Sequence, residues 1–292
     1  MNFGMNFQKK IIKNPLSKIK FDNAFNKIKT SNIINKTMLQ KNIRLSNEYN
    51  CNIYLKREDL QTVRSFKIRG AYYKIINSIK IKHKDLPVVT VSAGNHAQGV
   101  SLTCNSLNIK HHIFLPENTP LQKINRIKYF GKKNLTLHLH GHNFDESLAG
   151  ANTFCEKNES IFVHPFDDPD VIIGQGTVAT EIYEDIKPDI IISPIGGGGL
   201  ISGIGSYSKF FNKNCEILGA EPKNADSMKQ SIANNKITTI SNLDTFVDGA
   251  SVKTIGNNTF EICKKVVEAH GGELKIKNNV NGGATFTLCF PQ

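Results

Sequence analysis

The chain has 292 residues, long enough to bury a sizeable core as one large domain or two modest ones without a metal or disulfide staple. Hydrophobic residues at 39% and charged residues at 21% exclude disorder, and no run approaches the roughly 20 apolar residues of a membrane span. The net charge of +12 invites a polyanion partner, but only five of the 37 basic residues are arginine (Arg44, Arg57, Arg64, Arg69 and Arg126).

The lysines are scattered beside Asn and Ile, as AT-rich coding bias would leave them, so neither nucleic acid nor membrane is expected as a partner. The N-terminus has no apolar secretory core and no Arg-rich transit pattern, which gives a cytoplasmic expectation. Cys51, Cys104, Cys155, Cys215, Cys263 and Cys289 are far apart and form no CxxC pair. They read as reduced, mostly buried thiols rather than a disulfide framework or zinc ribbon.

In chain order, the first thirty-odd residues read as a lysine-rich, solvated extension. Residues 52–55 read as a strand and 67–79 as a helix; 87–91 as a strand and 97–107 as a helix. Strands at 111–115 and 135–139 precede helices at 121–129 and 144–156. A strand at 161–164, a helix at 176–186, a strand at 189–193, a helix starting near Leu200 and a strand at 217–221 complete the rhythm. Alternating strands and helices predict an α/β architecture with parallel sheets. The end differs: a helix at 259–269 stops at Gly271-Gly272, and strands at 273–278 and 284–290 flank NVNGG, a hairpin signal.

Three segments carry chemistry. In SFKIRGA, Lys67 opens a helix in a semi-apolar setting that can lower its pKa and make its amine a nucleophile. SAGNH, Ser92 to His96, is a small-residue turn after a strand, suited to a carboxylate or phosphate. GGGGL, Gly196 to Leu200, lies between the strand DIIIS and a helix, where backbone N–H groups can close around a phosphate. It is neither GxGxxG nor a P-loop. Reactive lysine, anion turn and phosphate loop together fit a pyridoxal phosphate enzyme.

KREDLQTVRSFKIRGAYYKI, TVSAGNHAQGVS, VHPFDDPDVIIGQGTVATEI, SPIGGGGLISG and FVDGASVKTIGNNTFEICKK together resemble, in order and spacing, the motifs of threonine dehydratases over about residues 37–265. The resemblance implies a fold-type-II pyridoxal phosphate enzyme like the tryptophan synthase β chain, with two parallel-sheet domains and helices on both faces. It implies a larger cofactor-binding domain of residues 1–86 and 165–261, and a smaller inserted domain of 87–164. Lys67 would hold pyridoxal 5'-phosphate covalently and take up the substrate Cα proton. Gly196, Gly197, Gly198, Gly199 and Leu200 would bind the phosphate. Asn95 would meet the pyridine 3'-oxygen, and Phe66 would pack against the ring. Ser92, Ala93, Gly94, Asn95 and His96 would grip the amino-acid carboxylate. The implied reaction is deamination of threonine to 2-oxobutanoate, or of serine to pyruvate, the former entering isoleucine biosynthesis. A homodimer or homotetramer is implied.

Serine racemases are similar, but their motif has a serine where this chain has Ala93, which cannot exchange a proton. Their metal site would use Glu221, the Ala225 backbone and an acid at 227, where this chain has Ser227, so no metal is expected. After about Lys265 the sequence departs from the dehydratases. ICKKVVEAHGGEL and GGATFTL resemble the end of the ATPase domain of sensor histidine kinases, so 262–292 is expected to be a foreign helix-hairpin tail. Kinase activity is not implied, since that domain's Asn-bearing magnesium motif and glycine lid are absent. Neither the regulatory ACT-like domain of biosynthetic members nor the serine that contacts the pyridine nitrogen is recognised; Thr285 and Cys289 have suitable chemistry for the second but no argued place. The alternative is a truncated, impaired dehydratase remnant.

Among the other candidates, His138, His140 and His142 are expected on one strand face, His111 and His112 on opposite faces, and Asp167, Asp168 and Asp170 in a loop and helix cap. Arg64, Lys67 and Arg69 are expected to cluster where an anionic cofactor and a carboxylate would sit.

Overall fold

The computed structural model describes residues 16–82, 85–270, 275–278 and 284–287, with side chains through 265 apart from that of Lys82. Its first element is α1 (Lys18–Lys29). Phe21, Ala24 and Ile28 recur at helical spacing and are buried. Phe21 meets Tyr207 edge-on at 5.6 Å, and Lys18 lies over the Phe211 ring at 5.1 Å. The expected solvated extension is therefore, from residue 18, a docked helix whose lysines ring an apolar stripe. Residues 1–15 lie outside the described residues.

β1 (Leu39–Lys41) and β2 (Tyr54–Lys56) pair antiparallel, joined through α2 (Ile43–Glu48). The strand read at 52–55 thus belongs to a small ribbon, not to a parallel sheet. A 3₁₀ turn at Glu58–Leu60 leads to α3 (Lys67–Lys82).

Next come β3 (Val88–Val91), α4 (Asn95–Ser106), β4 (His111–Leu115), α5 (Leu121–Gly131), β5 (Leu135–Leu139), α6 (Phe144–Lys157) and β6 (Ile161–Phe162). They build a four-stranded, all-parallel sheet in the order β5-β4-β3-β6. β3 is buried along its whole length, as a strand covered on both faces must be. Val89, Val91 and Phe114 pack with Ala151 of α6 on one face. Val88 on the other face joins Ala71 and Ile75 of α3 and Val100 and Cys104 of α4.

α7 (Pro169–Asp185) starts seven residues before the expected 176. The Asp168 carboxylate accepts the N–H of Asp170 at 2.8 Å and of Val171 at 3.2 Å, and Pro169 holds the first helical position. The cap role expected of this acidic cluster is where the helix begins. Residues 171–182 are buried without a break, so α7 is the central helix, packed between α3 and α8 (Gly199–Phe211). Between them β7 (Ile190–Pro194) pairs in parallel with β8 (Glu216–Ala220). The α/β architecture with parallel sheets and packed helices is as the alternation predicts.

α9 (Ser227–Ala233) and α10 (Asn257–His270) follow. α10 runs unbroken across residue 262, and its Phe260 and Cys263 pack with Ile195, Ile201 and Met228. β9 (Lys275–Asn278) and β10 (Ala284–Thr287) pair antiparallel, within the two strands expected of the tail. Gly271, Gly272, Cys289 and the NVNGG turn lie outside the described residues. No helix of the described residues is long and apolar enough to cross a membrane. No disulfide joins the five described cysteines; Cys104, Cys215 and Cys263 are buried, Cys155 is half-buried and Cys51 is exposed.

Candidate active site

Lys67 is the first residue of α3, entered through a turn in which its N–H donates to Ser65 Oγ at 3.1 Å. Its Nζ donates to the carbonyl of Pro165 at 2.7 Å and lies 5.7 Å from the Phe66 ring. Desolvation pulls its pKa from 10.5 down to about 8, because the ammonium has lost water and gained a carbonyl dipole but no carboxylate. At neutral pH a useful fraction of this amine carries a lone pair.

The cavity in front of the amine is walled by Phe66, Lys67, Phe166, Gln175 and the stretch from Gly196 to Leu200. Gly198 caps α8 in the left-handed region, φ +89°, with no side-chain oxygen on the helix's first N–H groups. Those groups point outward with the positive end of the helix dipole behind them. A Cβ on Gly197 would fall inside the Phe166 ring, and one on Gly198 would lie 2.6 Å from Met228 Cε. The cradle therefore has to be glycine. Gln175 is 1% exposed, lines the same cavity, and its Nε2 has no partner among the described residues.

Ser92 follows β3, and its Oγ accepts the N–H of Gly94 at 3.1 Å. Ala93 packs toward Ala97 and Ile113. Asn95 is exposed at the start of α4, whose first turn leaves N–H groups free for an anion. His96 is 2% exposed; its Nε2 sits 3.1 Å from the Val163 carbonyl and its Nδ1 has no partner among the described residues. Burial, with the charge of Lys67 as the next contribution, pushes its pKa down to about 3. α4 lies directly on the lysine's turn: a Cβ on Gly99 would stand 3.1 Å from Ile68 N and 3.3 Å from the Lys67 carbonyl carbon. The fold thus brings all three sequence segments to one region, with Lys67 and the glycines in a single cavity.

Arg69 does not join them. It is fully buried behind the site and bonds two carboxylates, Glu58 at 2.7 and 2.8 Å and Glu181 at 2.7 and 2.9 Å. Arg64 is exposed at φ +61°. The expected cationic cluster is undone by helix geometry, since two residues turn the face by about 200°.

Glu221 accepts the N–H of Met228 and of Lys229, each at 2.9 Å, and Ser227 Oγ donates to the Val252 carbonyl. The glutamate is a cap for α9. β5 ends at Leu139, so His140 and His142 are not on a strand face with His138; His138 Nε2 instead lies 3.0 Å from His112 Nδ1, and its ring stacks on Phe114. His111 is buried while His112 is half-buried, consistent with opposite faces. No cluster of three or more potential metal ligands occurs among the described residues. Two neighbours of the cavity carry no role in the sequence reading. Gln175 lies in a quoted motif without a role, and His164 accepts the N–H groups of Phe166 and Asp167 beside the lysine's carbonyl.

A lysine amine poised near neutrality, facing a side-chain-free cradle of N–H donors, defines a site for an aldehyde that carries a phosphate. Residues 30–272 match the family described as pyridoxal-phosphate dependent enzyme, and the chain belongs to that family. Its fold is the fold-type-II arrangement of pyridoxal phosphate enzymes. It is 47% identical over 234 residues to L-threonine dehydratase biosynthetic IlvA of Halalkalibacterium halodurans, covering 80% of this chain and 56% of that protein. With the enzyme of the same name from Staphylococcus aureus (strain bovine RF122 / ET3-1) the identity is 46% over 263 residues, covering 88% and 62%. The chain thus spans less than two thirds of the length of these relatives. Among solved structures it resembles the processed form of threonine deaminase isoform 2 from Solanum lycopersicum, with a TM-score of 0.77, 37% identity and coverage of 86% and 73%. It also resembles serine racemase from Dictyostelium discoideum, with a TM-score of 0.77, 32% identity and coverage of 86% and 78%.

The residues present fit the cofactor. Lys67 offers the amine, the start of α8 offers donors for a phosphate dianion, and the partnerless Nε2 of Gln175 points to a missing acceptor in the cavity.

Proposed function

We propose that this chain deaminates L-threonine to 2-oxobutanoate and ammonia, the first step of isoleucine biosynthesis, with deamination of L-serine to pyruvate as the alternative substrate reading. The observation that carries the reading is the desolvated Lys67 amine opposite the glycine cradle in one cavity. Pyridoxal phosphate, when bound, supplies the electron sink that stabilises negative charge at the substrate Cα. Gly196 to Leu200 hold its phosphate on backbone N–H groups, Asn95 meets its 3'-oxygen, and Phe66 borders its ring. Ser92, Ala93, Gly94, Asn95 and His96 orient the substrate carboxylate at the first turn of α4.

Lys67, with its pKa near 8, accepts the Cα proton and can return a proton to the leaving hydroxyl. Ala93 carries no proton to deliver from the opposite side, which favours elimination over racemisation. The names of the relatives, threonine dehydratase and threonine deaminase, support the same substrate. The reading treats 87–164 as an inserted unit within a larger body of 1–86 and 165–261, and the protein as a cytoplasmic homodimer or homotetramer. Size-exclusion chromatography with light scattering tests the assembly.

The purified chain with pyridoxal phosphate is expected to show an absorption band near the visible and to release 2-oxobutanoate from threonine. Lys67→Ala is expected to lose both. A wild-type chain that binds no cofactor sinks the reading. A second reading, in which residues 262–292 are a foreign tail that impairs turnover, rests on Ile192, which is 55% exposed in the middle of β7 and leaves an apolar sheet face open. A normal absorption band with no 2-oxobutanoate release from threonine above the rate without enzyme would favour it.

A further inference from the structure

Residues 163–168 are a short bridge on which the whole site converges. The Val163 N–H donates to Val89 of β3 at 2.8 Å, and its carbonyl accepts Thr90 Oγ at 2.7 Å and faces His96 Nε2 at 3.1 Å. The Pro165 carbonyl takes the Lys67 ammonium. The Phe166 ring borders Gly197, and its backbone borders Gly199. Asp167 Oδ1 accepts the Thr259 N–H of α10 at 3.0 Å, and Asp168 caps α7. At the centre, one atom holds the turn: His164 Nδ1 accepts the N–H of Asp167 at 2.8 Å and of Phe166 at 3.3 Å. Both bonds need a lone pair on Nδ1, so the ring proton belongs on Nε2. The imidazole stands edge-on to Phe166 at 4.7 Å, with an interplanar angle of 89°.

We propose that His164 is a positioning residue for the cofactor site: its Nδ1 locks the 165–167 turn, aiming the Pro165 carbonyl at the Lys67 amine and seating Phe166 beneath the glycine cradle. The proposal rests on the reading of Lys67 as the cofactor lysine. It adds a physical reason for a histidine between Val163 and Pro165. Pro165 has no N–H to anchor the turn, whose other holds are the Lys67 bond to the Pro165 carbonyl and the bonds from Thr259 N–H and Asn258 Nδ2 to Asp167. Once Lys67 is occupied, its nitrogen has fewer hydrogens to give to Pro165, and the Pro165–Phe166 part of the turn then leans more on His164, while α10 holds Asp167. Burial keeps the imidazole neutral, its pKa pushed down to about 4, so the acceptor persists at every physiological pH.

Two variants test this. His164→Ala removes the acceptor. His164→Asn returns an oxygen near the position of Nδ1. Amide hydrogen exchange is read at Phe166 and Asp167 in the chain without added cofactor, and pyridoxal phosphate affinity is read from the absorption band. The alanine variant is expected to speed exchange at those two amides about tenfold or more and to weaken cofactor binding about tenfold, the scale of one or two lost hydrogen bonds. The asparagine variant is expected to restore both to within about threefold of wild type. Unchanged exchange or unchanged affinity in His164→Ala overturns the proposal. So does an asparagine variant as impaired as the alanine one, or faster exchange spread through α7 and α8 in both variants, which is the mark of a merely structural side chain. A wild type that binds no cofactor would instead remove the proposed function, while the exchange result would still decide whether His164 locks the turn.

Discussion

Lys67 and Arg69 stand two residues apart at the start of α3, and both are withdrawn from water, yet they meet opposite fates. Arg69 faces Glu58 and Glu181, and Lys56 adds a further contact to Glu181 at 2.6 Å. This makes a buried network of two carboxylates and two cations in which the guanidinium stays charged, its pKa pushed up by those carboxylates against the cost of burial. Lys67 faces a carbonyl and a phenyl ring, and burial pulls its pKa down to about 8. The difference teaches that burial alone does not decide whether a cation is structural or reactive. The supply of carboxylates decides it. α3 presents one face to acids and the other to dipoles, and the chemistry is sorted by the helical turn between them.

The strongest way to break this contrast is to unbalance the Arg69 side. Arg69→Met leaves Glu181 with Lys56 and the Thr37 N–H, and Glu58 with only the neutral donors of Thr37 and Gln61, and removing one partner of a buried pair costs about 3–5 kcal/mol. Urea unfolding should show a loss of that size. A loss below about 1 kcal/mol would mean the network is wetter than its geometry and that the two faces of α3 differ less than claimed.

The Lys67 rule extends to His96, a base buried without a carboxylate. Its folded pKa of about 3 lies below the ordinary 6.5, so the unfolded chain takes up a proton as pH falls through 6.5 and the folded chain does not. Stability is therefore complete above pH 6.5 and is lost on acidification at about 1.4 kcal/mol per pH unit for this one group. Denaturation of His96→Asn at pH 7 and pH 5 should show a pH penalty about 2 kcal/mol smaller than wild type. An identical penalty in the two proteins would show that His96 titrates normally.

Much of the site was legible because its chemistry restricts residue types. Only a lysine supplies the amine, and only glycines fit between Phe166 and Met228, so Lys67 and Gly196–Gly199 stood out from sequence. Strands 111–115 and 135–139 were legible from apolar runs bounded by polar turns and match β4 and β5. Arg69 was misplaced because nearness in sequence says nothing about which face of a helix a residue takes. α1 was missed because its lysines mask the Phe21, Ala24 and Ile28 stripe in any composition count. α7 was started late because its true signal is the Asp168–Pro169 cap rather than the apolar run behind it. His164 was silent because a residue that accepts backbone N–H groups leaves no pattern of its own.

A smaller effect sharpens the contrast from the Lys67 side. Gln175 shares the cavity with Lys67, and Gln175→Glu would give the ammonium the carboxylate it lacks. The midpoint for acylation of the Lys67 amine, followed by mass spectrometry in the chain without cofactor, should rise from about 8 by roughly one pH unit, about 1.4 kcal/mol. An unmoved midpoint would mean that the carboxylate supply is not what separates Lys67 from Arg69.

The smallest expected effect concerns an ion pair outside both environments. Lys123 on α5 meets Asp248 at 2.7 Å, linking the four-stranded unit to the loop whose next residues, Gly249 and Ala250, border the cavity. Both side chains are exposed, so the pair is worth only about 0.2–1 kcal/mol and is screened by salt. Asp248→Asn should leave global stability within about 0.5 kcal/mol of wild type. If the pair holds the loop over the cavity, the variant should release pyridoxal phosphate up to about threefold faster in low salt, with the difference gone at 1 M salt. A variant whose release is faster by the same factor at both salt concentrations would assign the effect to loop packing. Lys67 on a carbonyl, Arg69 between two carboxylates and Lys123 on one carboxylate in water then stand as three cations whose weight follows from what surrounds them, the hydrated pair weighing least.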